Sequence, residues 1–200
     1  MKGKNYNEDY PLIREIVRKQ DHDSFRQLYD KYKDRVFATA YRISGNTEEA
    51  MDITQDTFQR VFRQLKKFKF ESSFSSWLYK VCVNICLDHR RQRAHRQALS
   101  LDGESPSGRP FSADMVDTGA DEAEDIATEA EFGQAIQASL DRLGPKLRAV
   151  VVLRYMQGLS YQEISEVLNL SMGTVKSRLN RAHEDLKPHL QRIMRAFSEK

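Results

Sequence analysis

The stretch LSYQEISEVLNLSMGTVKSRLNRA, from Leu159 to Ala182, contains two short segments with apolar residues at helical spacing. Ser160 and Glu163 fit the Ser-x-x-Glu capping box, which predicts that a helix begins at Ser160. Ser171 is a favourable N-cap residue, so it predicts that a second helix begins about one turn after the first ends. The sequence therefore predicts two helices joined by a tight turn, as in a helix-turn-helix motif.

The predicted second helix has two unlike faces. Its apolar residues lie within about 60° of one another around the helix axis, and they are Val175, Leu179, Ala182 and Leu186. The opposite face carries Gly173, Lys176, Ser177, Asn180 and Arg181. Lysine and arginine donate to guanine edges and asparagine pairs with adenine, so this face suits a DNA major groove. The alternative is an ordinary helical hairpin with a solvated face; the caps, the turn and both faces favour the DNA-binding interpretation.

Composition favours an all-α fold. The 200 residues suffice for one large domain or two small ones. Hydrophobic residues make up 40% and charged residues 30%, with 9 glycines and 5 prolines. Helical periodicity recurs along the chain, whereas the strict alternation of a strand is scarce.

The net charge of +3 conceals three blocks of different sign. Residues 1–98 carry +7, residues 99–131 carry −9 and residues 132–200 carry +5. Two basic blocks around an acidic one suggest two contacts with a polyanion, although plain solvated charge is an open alternative. The segment LDGESPSGRPFSADMVDTGAD, which begins at Leu101 in the acidic block, lacks periodicity and is rich in turn-forming residues, so it is predicted to be a linker.

Two helices are predicted in the first part of the basic N-terminal block. One extends from about Asp23 to Arg42, and Ser44-Gly45 ends it. Asn46 is a favourable N-cap residue and begins the next helix. One side of that helix is polar and carries Asp52, Gln55 and Asp56.

A third helix is predicted from about Phe74 to Gln97, after a loop over Lys69–Ser73. Trp77 lies on the apolar stripe of this helix and is predicted to be in the core. Tyr79 and Lys80 lie off the stripe and are predicted to be exposed. A basic run, HRRQRAHR, ends the helix.

Several classes of protein are disfavoured. Cys82 and Cys86 are four residues apart with no histidine pair at ligand spacing, so neither a metal site nor a disulfide framework is expected. The sequence shows no serine, histidine and aspartate in the order of a catalytic triad, no catalytic carboxylate pair and no phosphate-binding loop. We therefore expect no enzyme activity and no cofactor. The N-terminal residues MKGKNYNEDY lack a signal segment, and no run is long enough to span a membrane. We expect a cytoplasmic protein.

Two blocks of sequence resemble one family. GLSYQEISEVLNLSMGTVKSRLNRAHEDL resembles region 4 of a bacterial sigma factor of the extracytoplasmic-function group. DITQDTFQRVF followed by FSSWLYKVCVNICLDHRR resembles region 2 of the same group. The resemblance implies an all-α protein of two helical domains: region 2 over residues 1–98, an acidic linker over 99–122 and region 4 over 123–200. It also implies three partners: core RNA polymerase, promoter DNA and an anti-sigma factor.

The resemblance assigns roles to residues of this sequence. The reader of the -35 element as duplex matches Gly173, Thr174, Lys176, Ser177, Asn180 and Arg181. The reader of the -10 element, partly as single strand, matches Phe70, Glu71, Ser72, Ser73, Ser76, Lys80, Asn84 and Arg91. The contact with the clamp of core polymerase matches Asp52, Gln55 and Asp56.

Two other classes of function remain as alternatives. A repressor or activator could use the same helix-turn-helix without joining polymerase, but the N-terminal half resembles neither a receiver nor a ligand-binding domain. An enzyme is the other class, and no catalytic constellation supports it. The acidic linker is interpreted either as a segment that enters the polymerase channels, as the resemblance implies, or as a solvated spacer.

Overall fold

The computed structural model describes residues 8–99 and 120–198. Within these residues the protein is helical, with eight α-helices and no strand, which confirms the all-α expectation. The helices are α1 (Tyr10–Lys19), α2 (His22–Ser44), α3 (Thr47–Gln64), α4 (Phe74–Leu99), α5 (Ala120–Asp141), α6 (Pro145–Val151), α7 (Tyr161–Leu168) and α8 (Met172–Ser198). Helices α1–α4 form a first domain and α5–α8 a second; most of the expected linker, residues 100–119, lies outside the described residues.

Local sequence signals set most helix ends. Gly45 has φ 76° and ends α2 in a left-handed C-cap, a conformation that glycine adopts without steric cost. Asn46 then accepts a hydrogen bond from the backbone N–H of Glu49 at 2.8 Å and begins α3. Pro145 lies at the start of α6, where its missing N–H is harmless. The turn at Val152–Met156 widens into a π-helix that the sequence did not indicate.

The first helix, α1, was not predicted from the sequence. It packs on α2 through Ile13 and Ile16, both buried. Asp9 precedes α1 and is almost completely buried. Its carboxylate accepts hydrogen bonds from the Tyr32 hydroxyl at 2.7 Å and from Lys31 Nζ at 2.6 Å. These long-range bonds, which no local pattern reveals, hold the start of α1 against α2.

The core of the first domain lies between α2, α3 and α4. Trp77 is only partly buried, with its ring 5.4 Å from that of Phe68, so it lies at the border of the core. The expectation that Tyr79 is exposed was wrong, because its side chain is 2% exposed. Helix α4 packs against α6 and α7 of the second domain as well as against α2 and α3, so more than one stripe of α4 is buried. Cys82 and Cys86 also lie inside this core.

The two domains pack directly against each other. Arg148 of α6 is 1% exposed, and its Nη1 donates to the carbonyl of Ile43, at the end of α2, at 2.9 Å. The same nitrogen pairs with Asp141 at 2.8 Å. Burial lowers the pKa of Arg148, while Asp141 acts to raise it. A second polar contact joins Gln157 to Thr39 at 2.9 Å, so the domain interface contains a buried charge and hydrogen bonds between the domains.

Candidate nucleic-acid and polymerase interfaces

The helix-turn-helix is formed by α7 and α8, with the predicted caps in place. The Ser160 hydroxyl accepts from the Glu163 N–H at 3.2 Å, and the Glu163 carboxylate accepts from the Ser160 N–H at 2.8 Å. The chain leaves α7 through Asn169, whose φ of 52° is left-handed. Ser171 then accepts from the Thr174 N–H at 3.1 Å and begins α8. The capping box and the second N-cap are therefore confirmed.

Helix α8 separates its two faces as the pattern predicted. The apolar residues Val175, Leu179, Ala182 and Leu186 are buried against the rest of the second domain. On the other face Gly173, Lys176, Ser177, Asn180 and Arg181 are exposed and Thr174 is half-buried. A Cβ atom at Gly173 would meet only the Ser171 hydroxyl, at 3.8 Å. Folding therefore does not require a glycine at this position, whereas close approach to a ligand would favour one.

Met172 begins α8 and was not singled out in the sequence. Its side chain is 52% exposed beside the polar face. An exposed apolar side chain at the end of a helix that enters a major groove can contact a thymine methyl group. The signal that could have identified it is its position directly after the N-cap Ser171.

The residues expected at the -10 element fall into two sets. Lys80, Asn84 and Arg91 are exposed along one side of α4, at separations of four and seven residues that place them on one face. Arg91 is also paired with Asp88 at 3.2 Å. Ser76 is four residues before Lys80 and lies on the same side of α4, but it is covered: it is 4% exposed and lies between the Ser73 hydroxyl at 2.8 Å and Glu163 at 3.5 Å.

The loop before α4 has an uncommon backbone conformation. Phe70 has φ 59° and is half-buried. Its carbonyl accepts a hydrogen bond from the Tyr10 hydroxyl at 3.2 Å, and the two rings meet edge to face with centroids 4.6 Å apart. Glu71 is exposed, whereas Ser72 and Ser73 are half-buried. The structure thus connects α1 to the loop that was expected to bind a base.

The expected polymerase contacts lie together on α3. Asp52, Gln55 and Asp56 are all exposed, and Asp56 lies 3.6 Å from His89 of α4. Beside them, a groove of about 770 Å³ runs between α2 and α3. Its apolar lining includes Phe25, Tyr29, Met51, Phe58 and Phe62. Helical spacing in the sequence predicts the polar side of this surface, whereas the aromatic groove was not predicted.

A second apolar groove, of about 610 Å³, lies in the second domain. It is lined mainly by α5, α8 and the π turn, and its residues include Ile136, Leu140, Tyr155, Met156, Leu190 and Met194. Met194 is 65% exposed and Tyr155 is 60% exposed. Exposed apolar surface of this kind marks sites of protein contact. This groove was not predicted from the sequence.

Comparison with known families matches both domains. Sigma-70 region 2 matches residues 28–96, and Sigma-70 region 4 matches residues 133–186. The chain is 35% identical over 175 residues to the ECF RNA polymerase sigma factor SigW of Bacillus subtilis, covering 88% of this chain and 93% of the relative. The protein belongs to the extracytoplasmic-function sigma factors.

A second relative agrees with this assignment, and a solved structure shares the fold. The sigma factor is 37% identical to ECF sigma factor SigE of Mycolicibacterium smegmatis over 84% of this chain and 62% of the relative. Its fold matches that of CnrH, solved in complex with the cytosolic domain of CnrY, with a TM-score of 0.63 at 23% identity over 92% of this chain and 97% of that one.

Family membership sets the activity. A sigma factor directs promoter-specific transcription initiation and is not itself an enzyme. The described helices include none long and apolar enough to cross a membrane. Within the same residues there is also no cluster of three or more metal-ligating side chains.

Proposed function

We propose that this sigma factor binds core RNA polymerase and promoter DNA through three separate surfaces. The division is region 2 over residues 1–98, a linker over 99–122 and region 4 over 123–200, in a protein of the cytoplasm. Region 2 binds core polymerase and the melted -10 element, and region 4 binds the -35 element as duplex. The observation that carries the proposal is the exposed polar face of α8. This helix belongs to a helix-turn-helix in which both predicted N-caps, Ser160 and Ser171, are formed.

The -35 element is read by α8. Lys176 and Arg181 supply cationic donors and Asn180 an amide on a face that no described residue covers. The N-terminal part of a recognition helix enters the major groove, and here that part carries Gly173 and Thr174. Their small side chains let the helix backbone approach the base edges. Ser177 lies on the same face and is the last of the residues proposed to bind the -35 element.

The -10 element is read by α4 and the loop before it. Lys80 and Arg91 provide positive charge along the exposed side of α4, which suits a single-stranded backbone. Asn84 lies between them and offers both a donor and an acceptor for a base edge. Phe70, Glu71, Ser72 and Ser73 form the loop that takes up an unstacked base, because a base out of the stack needs polar edge contacts beside apolar walls. Ser76 supports this loop from below through its bond to Ser73.

Core polymerase is bound on α3. Asp52, Gln55 and Asp56 form an exposed polar rim beside the aromatic groove between α2 and α3. An interface of this kind combines an apolar centre with a polar rim. The clamp of polymerase is therefore expected to place apolar side chains in the groove and cationic ones on the rim.

An anti-sigma factor is the expected regulator. CnrH, whose fold this chain shares, was solved with the cytosolic domain of CnrY. The two apolar grooves offer surface for such a partner. The alternative of a regulator that acts without polymerase is disfavoured, because region 2 as well as region 4 is present.

The test is transcription from a promoter library with purified core polymerase, with and without this chain. We expect initiation at a limited set of promoters that share two elements. Lys176→Ala and Asn180→Ala should alter the selected upstream element, and Asn84→Ala should alter the downstream one. Arg192→Ala, an exposed change near the end of α8, is the matched control and should select the wild-type set. No chain-dependent initiation at any promoter would contradict the proposal.

A further inference from the structure

Phe70 holds a backbone conformation that its side chain disfavours. Three non-glycine residues of the described part of the chain have positive φ: Gln20, Asn169 and Phe70. Gln20 and Asn169 are helix C-caps, where the left-handed conformation satisfies the last carbonyls of the helix. Phe70 has φ 59° in a loop and caps no helix. A bulky residue at positive φ persists only where its surroundings hold it.

Tyr10 supplies two of the contacts that hold Phe70. The Tyr10 hydroxyl donates to the Phe70 carbonyl at 3.2 Å, so it fixes the peptide plane that follows Phe70. Its ring meets the Phe70 ring edge to face, with centroids 4.6 Å apart. Phe68 contacts the same ring with centroids 4.9 Å apart. The Phe70 backbone and side chain are therefore both restrained.

Tyr10 is itself held in a fixed place. It directly follows Asp9, whose buried carboxylate accepts from Tyr32 and Lys31 of α2. This anchor fixes the first turn of α1 relative to the core of region 2. Hydrogen bonds therefore connect α2 to Asp9, and the next residue, Tyr10, to the Phe70 carbonyl of the loop.

We propose that Tyr10 is a positioning residue for recognition of the -10 element. Its hydroxyl and ring hold Phe70 in the left-handed conformation and so direct Glu71 and Ser72 toward the unstacked base. The inference rests on the proposed role of the loop in binding that base. It adds a residue of α1, a helix separate from α4 and the loop before it, as a determinant of promoter choice.

A purely structural role would affect all activities of the protein equally, and the proposed role affects one. A bulky residue at positive φ relaxes when its restraint is removed, and a loop that changes direction at Phe70 moves Glu71 first. The affected quantity is therefore the preference at the base bound by the loop. Preference at the -35 element and affinity for core polymerase depend on other surfaces and stay unchanged.

The variant Tyr10→Phe removes the hydroxyl and keeps the ring. Tyr41→Phe is the matched control, since Tyr41 is a half-buried tyrosine of α2 far along the chain from the loop. The holoenzyme made with each protein transcribes pairs of promoters that differ at a single -10 position. The ratio of the two rates is recorded, because a ratio is independent of the fraction of active protein. The backbone ¹³C chemical shifts of Phe70, which report φ, are measured on the free full-length chain.

We expect Tyr10→Phe to reduce the ratio about three- to tenfold at one -10 position, the effect of losing one hydrogen bond. It should leave ratios at -35 positions unchanged and shift the Phe70 signals away from left-handed values. Tyr41→Phe should do neither. Unchanged -10 ratios in Tyr10→Phe, with Glu71→Ala changing them, would overturn the role of Tyr10 and leave the role of the loop intact. If Glu71→Ala and Ser72→Ala also change nothing, the role of the loop fails, and that of Tyr10 fails with it.

Discussion

Arg181 shows what a single residue can contribute to promoter choice. It is exposed on the polar face of α8, on the side opposite to buried Leu179. An arginine at this position either donates two hydrogen bonds to the edge of a guanine or contacts a phosphate. The two contacts have different consequences, because a base contact discriminates between sequences and a phosphate contact changes affinity for all of them.

We expect Arg181→Ala to cost about 1–3 kcal/mol of binding to the preferred duplex and to relax preference at one base pair. The measurement is binding to randomised duplexes at two salt concentrations. Arg195→Ala, an exposed arginine at the end of the same helix, is the control and should retain preference. Uniform weakening across all sequences, with the salt slope lower by about one, would instead assign Arg181 to a phosphate.

At the scale of single elements, local signals predicted the helices whose ends they determine. The caps at Ser160 and Ser171 involve residues three positions apart, so the sequence alone identifies them. Helix α1 depends on Asp9 and its bonds to residues more than twenty positions away, which no short pattern shows. The burial of Tyr79 was missed for the same reason, since its side chain lies next to Arg35 and Tyr32 of α2, more than forty positions earlier in the chain.

The features of the candidate site also fall into those that short-range spacing predicts and those that it does not. The polar faces of α3 and α8 follow from helical spacing, so they were found. The two apolar grooves were missed because each is formed by side chains of more than one helix, and the spacing within one helix does not show how two helices pack. The conformation of Phe70 was missed as well, because a phenylalanine gives no sign of positive φ.

Ser160→Ala removes one half of the capping box of α7. We expect a loss of about 0.5–2 kcal/mol in the free energy of unfolding, because the Glu163 N–H loses its acceptor. Denaturant unfolding of the full chain followed by circular dichroism measures it. Ser198→Ala, at the exposed last residue of α8, is the control and should be close to neutral. Equal stability of Ser160→Ala and wild type would show that the capping box does not stabilise the motif.

The polar rim on α3 is tested as a unit. We expect the double variant Asp52→Lys and Asp56→Lys to bind core polymerase at least tenfold more weakly, since each change replaces an attraction with a repulsion. Glu184→Lys with Asp185→Lys makes the same change of charge on α8 and should retain affinity. Affinity is measured by titration of labelled core polymerase, with helicity checked by circular dichroism. Wild-type affinity in the first double variant would remove these carboxylates from the interface.

At the scale of the whole molecule, the closed arrangement of the two domains conflicts with simultaneous binding to both promoter elements. A compact chain of this length is about 40 Å across. Two elements separated by about two turns of DNA lie roughly 70 Å apart. The domains must therefore separate when the protein binds both elements, and the contacts around Arg148 and Arg42 must break.

Arg42 contacts the second domain from the surface of the first, donating to the Gly133 carbonyl at 3.1 Å and to Gln137 at 3.2 Å. We expect Arg42→Glu to separate the domains, because a carboxylate next to the Gly133 carbonyl and the Gln137 side-chain oxygen is repelled by both. Spin labels on Lys66→Cys and Arg195→Cys measure the separation, as native Cys82 and Cys86 are fully buried.

The wild-type chain should give one narrow distance distribution in this experiment. Arg42→Glu should give a longer and broader one, whereas the control Arg26→Glu, exposed on the same helix, should match wild type. Identical distributions for all three proteins would show that Arg42 does not hold the domains together.

Arg148 gives the closed arrangement a dependence on temperature. Its guanidinium is withdrawn from water, with Nε lacking any hydrogen-bond partner among the described residues. Hydration of a charged group becomes less favourable on warming, so the free-energy cost of keeping this charge buried falls as temperature rises. The contribution of Arg148 burial to the domain equilibrium therefore favours association of the two domains on warming and their separation on cooling. Burial of this single charge therefore favours separation of the two domains at low temperature.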